Sequence, residues 1–231
     1  ADEMAQMAWD LREQFMVYES IDPAAAVQRA RRAARGLVIL SDTGDSVFGG
    51  APGDSTHILR ALLEQGADQP ALLPVVDPEA VAIAIDAGVG ATVSLALGGK
   101  LASEFHRPVE LTATVTAIGG GRIRAQVVGM ESFDMGRAVL LTVGALGIVV
   151  SEREGVGGNH PAVYQHFGLD PAQAKMIVMK TASNFQYYSE LTAEIIRVNT
   201  PGPTMSHLEH FNWRQLPRPI WPLDERAHWQ A

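Results

Sequence analysis

The chain has no cysteine, and only three of its 231 residues are lysine. Without cysteine there is neither a disulfide framework nor thiolate chemistry, a composition suited to a reducing compartment, with the cytoplasm as the default location. Long apolar runs are missing too. A bilayer span needs ~18 to 20 apolar residues, and the best run, Ala138 to Val150, is broken by Thr142, Gly144 and Gly147. No membrane partner is expected. There is no basic stripe: 18 Lys and Arg stand against 26 Asp and Glu, a formal net charge of −8, so a nucleic-acid backbone would be repelled. The first residues lack the basic start and apolar middle of a secretory signal. Instead, Ala1 to Phe15 mixes Asp2, Glu3, Asp10, Arg12 and Glu13 with apolar residues at the spacing of an amphipathic helix.

What is present is a 47% apolar composition without charge runs or low complexity. That is enough for one large domain or two small intimate ones. Asp22 before Pro23 reads as the N-cap of a helix reaching Arg35. Leu37 to Leu40 is a short apolar run that suits a strand buried on both faces. The glycine-rich loop Ser41 to Thr56 leaves it directly and leads into a helix, Ile58 to Leu63, stopped by Gly66. Leu72 to Val76 is the next buried strand, Pro78 to Ala87 the next helix, and Thr92 to Leu97 a third strand.

After residue 100 the pattern changes. Leu111, Ala113, Val115 and Ala117 alternate with threonines, and Gly119 to Gly121 read as the turn of a hairpin returning through Ile123 to Val128. Ala138 to Val143 and Ala145 to Val150 read as two strands, or one strand bulged at Gly144. A short helix at Pro161 to Phe167, a strand at Lys175 to Met179, a helix at Phe185 to Leu191 and a strand at Ala193 to Val198 follow. The expected fold is α/β with a mixed sheet: alternating β/α units in residues 1–100, a β-rich antiparallel hairpin portion with short helices in 101–200, and an extended proline-rich tail in 201–231. That tail carries Phe211, Trp213, Ile220 and Trp221, too apolar for a free end, so it should lie against a surface, of this domain or of another.

Chemistry concentrates in the loop at 41–56. Gly44, Gly49, Gly50 and Gly53 let backbone N–H groups converge ahead of a helix N-terminus, a place that can hold an anion or stabilise an oxyanion. Asp42, Asp45 and Asp54 pull the other way, toward a cation, a substrate ammonium or a capping role, with Asp54 or Ser55 the simplest N-cap. The alternative is a tight structural turn. No Walker motif is present, because its lysine is absent. Lys100 and Lys180 each follow an expected strand, and if both strands run parallel to the first they meet the loop at one rim; otherwise they are solvated strand ends. Among the histidines, His207 and His210 flank Glu209 but do not form HExxH, His160 and His166 flank a short helix as cap and surface residues, and His57 either reaches the loop's ligand or simply starts the helix. No three histidines or carboxylates show a ligand spacing, so no metal is expected on this chain alone.

Four stretches carry a family resemblance. VILSDTGDSVFGGAPGDSTHILRALL at Val38 to Leu63, LGGK at Leu97 to Lys100, KTASNF at Lys180 to Phe185, and VNTPGPT with RPIWPLD near the end occur in an order that resembles the C-terminal domain of microcystinase C-like zinc metallopeptidases. The resemblance implies a protein about twice as long, whose N-terminal domain supplies the zinc ligands and a peptide-hydrolysing centre. This chain then completes the substrate cleft, is inactive alone, and has its own N-terminal metal-binding domain and a peptide or amide substrate as partners. The residues expected to contact substrate are Asp42, Asp45, Gly49, Gly50, Asp54, Lys100, Lys180 and Asn184. Where many relatives have histidine and arginine, Asn184 and Gln186 stand here, so the substrate or even the reaction can differ. Two other classes of function are a binding module for a small anion and a structural domain that forms a homodimer through its hairpin region.

Overall fold

The computed structural model describes residues 1–15 and 19–229. Its contacts divide into two units, Ala1–Ser20 with Ser206–Ala231, and Ile21–Met205. In the first, α1 (Asp2–Asp10) and α2 (Arg12–Phe15) bury no residue. The Arg12 guanidinium carbon lies 4.6 Å from the Trp9 ring centroid and 5.1 Å from that of Trp221, so a cation–π contact joins the N-terminal helices to the tail. The tail itself is irregular, with one turn of 3-10 helix at Leu208–His210.

The second unit starts with α3 (Pro23–Arg32), whose Asp22 carboxylate accepts the Ala25 N–H as the sequence implied. It continues through β1 (Leu37–Asp42), α4 (His57–Glu64), β2 (Ala71–Val76), α5 (Pro78–Ala87) and β3 (Thr92–Leu97). Then come β4 (Val109–Val127), β5 (Met130–Val143), β6 (Leu146–Ser151), α6 (Ala162–Gln165), β7 (Met176–Met179) and β8 (Thr192–Val198). The strands make one mixed sheet in the order β3-β4-β5-β6-β2-β7-β1-β8. Successive side chains of a strand face opposite ways. Val38 and Leu40 accordingly join a core with Val27, Ile58, Leu62 and Val81 from the helices α3, α4 and α5. Ile39 joins the opposite core with Phe133, Met135, Tyr164 and Tyr188. Every residue of β1, β2, β6 and β7 is buried, which is why these strands read as unbroken apolar runs.

Three expectations change. Gly119 to Gly121 do not turn a hairpin: they lie inside the 19-residue β4, at a register shift between Gly120 and Arg122. A Cβ on Gly120 would stand 2.3 Å from the Gly136 carbonyl oxygen, so glycine there permits close strand approach at a bulge. The reversal comes at Val128 and Gly129, both at positive φ (47° and 80°), where two left-handed residues suit a tight hairpin. Second, Phe185 to Leu191 holds only a 3-10 turn, Gln186–Tyr188, because the Ser183 and Asn184 N–H groups close onto the Thr181 hydroxyl and β8 begins at Thr192. Third, β3 pairs antiparallel with β4, β4 with β5 and β5 with β6, whereas β6, β2, β7, β1 and β8 are mutually parallel. Three reversals leave β3 running opposite to β1, so a rim made by parallel strands includes β7 but not β3.

Candidate functional site

Parallel strands deliver the residues that follow them to one edge of a sheet, where α/β proteins bind ligands. Asp42 ends β1, Asp77 follows β2, Lys180 follows β7 and Thr200 follows β8. Lys180 is the hub. Its ammonium lies 2.9 Å from Asp42 Oδ2, 3.0 Å from Asp45 Oδ2 and 2.8 Å from the Ser55 carbonyl oxygen. The remaining Asp42 oxygen accepts the Thr200 hydroxyl, while Asp45 accepts the Gly53 and Ser55 N–H groups at 2.9 and 2.7 Å. Asp42 and Asp45 are 0% exposed and Lys180 is 2% exposed. Burial works against the Asp42 carboxylate, yet Lys180 and Thr200 outweigh it and hold the group below its ordinary range. Burial prevails at Asp45, which shares the same cation and is pushed up.

Asp54 fastens a second loop. Its Oδ2 accepts the Leu101 and Ala102 N–H groups at 2.6 and 3.2 Å, and its Oδ1 lies 2.8 Å from His106 Nδ1. Neither Asp54 nor Ser55 caps α4; the cap position is Thr56, without a side-chain bond, because Asp54 is turned toward residues 101–106. Burial would raise the Asp54 carboxyl, but the His106, Leu101 and Ala102 donors keep it low. Lys100 reaches this edge although β3 runs the other way. The Gly98 N–H donates to Asp77 Oδ2 and the Gly99 N–H to the Asp54 carbonyl, both at 2.8 Å, and the Lys100 ammonium sits 3.0 Å from Asp77 and 2.8 Å from Glu79.

The segment after β8 closes the arrangement. A Cβ on Gly202 would stand 2.0 Å from the Gly44 carbonyl oxygen, and one on Gly44 would stand 2.1 Å from that of Thr200, so two glycines allow the strap to lie on the loop. The Ser46 N–H donates to the Thr204 hydroxyl at 2.8 Å, and that hydroxyl donates to the Thr43 carbonyl at 3.0 Å. Beside these contacts an open cleft of about 620 Å³ is lined by Val47, Gly50, Ala51 and Pro52 from the loop, Leu101 to Phe105, Glu154 and Pro203. Gly49 and Gly50 are exposed at its edge, and Asn184 is half-buried in the connection after β7.

The loop, LGGK, KTASNF and VNTPGPT stretches, scattered in sequence, thus meet at one rim; RPIWPLD lies in the other unit. Asp77, His106 and Thr200 also stand at this rim and were not among the residues expected to contact substrate. His106 stands in an irregular stretch 52 positions from its Asp54 partner, and the one signal for it is proximity to LGGK.

The other histidines scatter. His57 is half-buried, with Nε2 3.2 Å from the Phe105 carbonyl oxygen and its basicity lowered mainly by burial. His160 Nδ1 accepts the Ala162 N–H at the start of α6, and His166 Nε2 accepts the Gly120 N–H, each at 3.1 Å. His207 lies 3.3 Å from Glu209. Among the described residues no group of three or more His, Asp or Glu is placed to hold a metal ion. Asp42 and Asp45 are already engaged by Lys180 and backbone donors, and Asp54 by His106. The donor sets present do not fit a zinc centre.

Comparison with known proteins gives a consistent picture. Residues 40–215 match the family model described as MlrC C-terminus. Microcystinase C of Sphingomonas sp is 29% identical over 203 residues, which are 87% of this chain and 38% of that protein. The crystal structure of the "Putative metallopeptidase" from Mesorhizobium sp. BNC1 superposes with a TM-score of 0.86 at 31% identity, over 99% of this chain and 45% of that one. The chain therefore spans less than half the length of either relative.

Proposed function

The chain belongs to the MlrC C-terminus family, and from that premise we propose that it forms one wall of the substrate cleft of a zinc-dependent peptidase or amidohydrolase, with the metal ligands outside this chain. The observation that carries this reading is the convergence of four motif stretches on the rim beside the 620 Å³ cleft. Gly49, Gly50, Lys100 and Asn184 are the members of the expected set that a substrate would meet at the surface. Asp42, Asp45, Asp54 and Lys180 act from behind, holding the loop in the shape the substrate needs. The proposed partners are a metal-binding domain of the same protein and a peptide or amide, in the cytoplasm. A homodimer through the β4–β5 hairpin, where Ile118, Val128 and Met130 are exposed, would add to this reading. An anion-binding module is less well supported, because the loop's three carboxylates, two on Lys180 and one on His106, leave no excess of positive charge.

The test is to fill the cleft. Ala102→Trp in a full-length protein carrying this domain should raise KM for a peptide substrate about tenfold, a loss of ~1.4 kcal/mol of binding, with the fold intact by circular dichroism. Unchanged kinetics would place substrate elsewhere.

A further inference from the structure

The 620 Å³ cleft carries charge of one sign. Val47, Ala51, Pro52, Leu101, Phe105 and Pro203 give it apolar walls, and its charged members are Glu104 and Glu154, with no lysine, arginine or histidine lining it among the described residues. The two acids come from different walls. Glu104 stands in the 101–105 turn, which Asp54 fastens through the Leu101 and Ala102 N–H groups. Glu154 follows β6, the strand that runs parallel with β2; its backbone carbonyl accepts the Gly157 N–H at 2.9 Å, and its Cβ lies 4.0 Å from where a Cβ on Gly53 of the loop would stand. Both residues are exposed, and among the described residues neither side chain has a hydrogen-bond or ion-pair partner.

The cations around them are committed elsewhere. Arg107 donates to the Ser103 and His106 carbonyls, Lys100 is paired with Asp77 and Glu79, Arg153 with Asp134, and Lys180 is buried between Asp42 and Asp45. Carboxylates left without a counter-charge repel an anion and draw a cation. Apolar walls beside them give an aliphatic stem a surface to lie on while its charged head stays among the carboxylates. Lysine and arginine side chains have both parts. We propose that the cleft selects peptide substrates carrying a cationic side chain on an aliphatic stem, and that Glu104 and Glu154 are the residues that determine this specificity. Asp42, Asp45 and Asp54 do not share the role, because Lys180, His106 and backbone donors already engage them. The proposal rests on the cleft reading above and adds the substrate class to it.

The experiment is the kinetics of a full-length protein carrying this domain on acetylated peptides that differ at one position. That position holds Arg, Gln or Glu and is scanned through the residues on either side of the cleaved bond. At its best position Arg should exceed Glu in kcat/KM by about tenfold, mostly through KM, the order expected when two exposed charge contacts attract one peptide and repel the other. High salt should erode the ratio. Glu104→Gln combined with Glu154→Gln should bring it close to one, and Glu154→Lys should shift it toward the Glu peptide. Both glutamates are exposed and unpartnered, so these variants should keep the fold, which circular dichroism checks. Equal kcat/KM for the Arg and Glu peptides at every position overturns the proposal, as does a preference that survives the double substitution. Ala102→Trp separates the two readings. If it raises KM while charge makes no difference, this proposal alone falls; if it leaves KM unchanged, the cleft reading falls and takes this one with it.

Discussion

Lys180 sits between two carboxylates with 2% of its surface exposed, and its removal has a consequence that Asp42 and Asp45 cannot absorb. Lys180→Met would leave both acids buried without a counter-charge, a loss of about 3–5 kcal/mol, measurable as a lower urea midpoint. The pH dependence has a definite sign. Asp42 is held low in the folded state by Lys180 and Thr200 against its burial, so its contribution exists above the unfolded value of about 3.9 and fades as pH falls through the folded one. In the variant both acids would be raised by burial, and protonating them relieves the penalty. The stability gap between wild type and variant should therefore narrow as the solution is acidified, and a gap independent of pH would contradict the pairing. The residue types at this rim were legible in the sequence: three aspartates in a glycine-rich loop and two rare lysines after strands. Their pairing was not, because Lys180 meets Asp42 across 138 positions and nothing local indicates which carboxylate a lysine will choose.

At the scale of elements, period and punctuation were readable where one face of a strand meets water. Leu111, Ala113 and Val115 are buried and the threonines between them exposed, as the alternation implied. The Gly119 to Gly121 run misled because glycine serves turns and bulges equally, and only the partner strand distinguishes them. The true reversal uses Val128, a β-branched residue at φ 47° whose N–H donates to the Tyr187 hydroxyl at 2.7 Å. Left-handed backbone is costly for valine and readily adopted by asparagine. Val128→Asn, completing an Asn-Gly turn, is therefore expected to stabilise the chain by about 1 kcal/mol, seen as a rise in Tm. A fall in Tm would mean that the apolar side chain matters more than the turn geometry. The direction of β3 was out of reach for a related reason, since strand order and sense depend on ladders between residues far apart in sequence.

For the whole molecule, the α/β class and mixed sheet followed from alternating apolar runs and helical spacing, and the family from motif stretches that the fold brings to one rim. What the sequence could not supply was the reason for their grouping: Gly44 lies on Gly202, Gly99 donates to the Asp54 carbonyl, and Lys180 ties Asp42 to Asp45. In the division of labour proposed above, this chain shapes the cleft and the metal is held elsewhere. The most direct test of that division is elemental analysis of the purified chain after equilibration with zinc, paired with a peptidase assay on the same sample. No stoichiometric zinc and no hydrolysis are expected. One tightly bound zinc per chain with peptide turnover would contradict it, and would turn attention to His57, His207 and His210 as ligands.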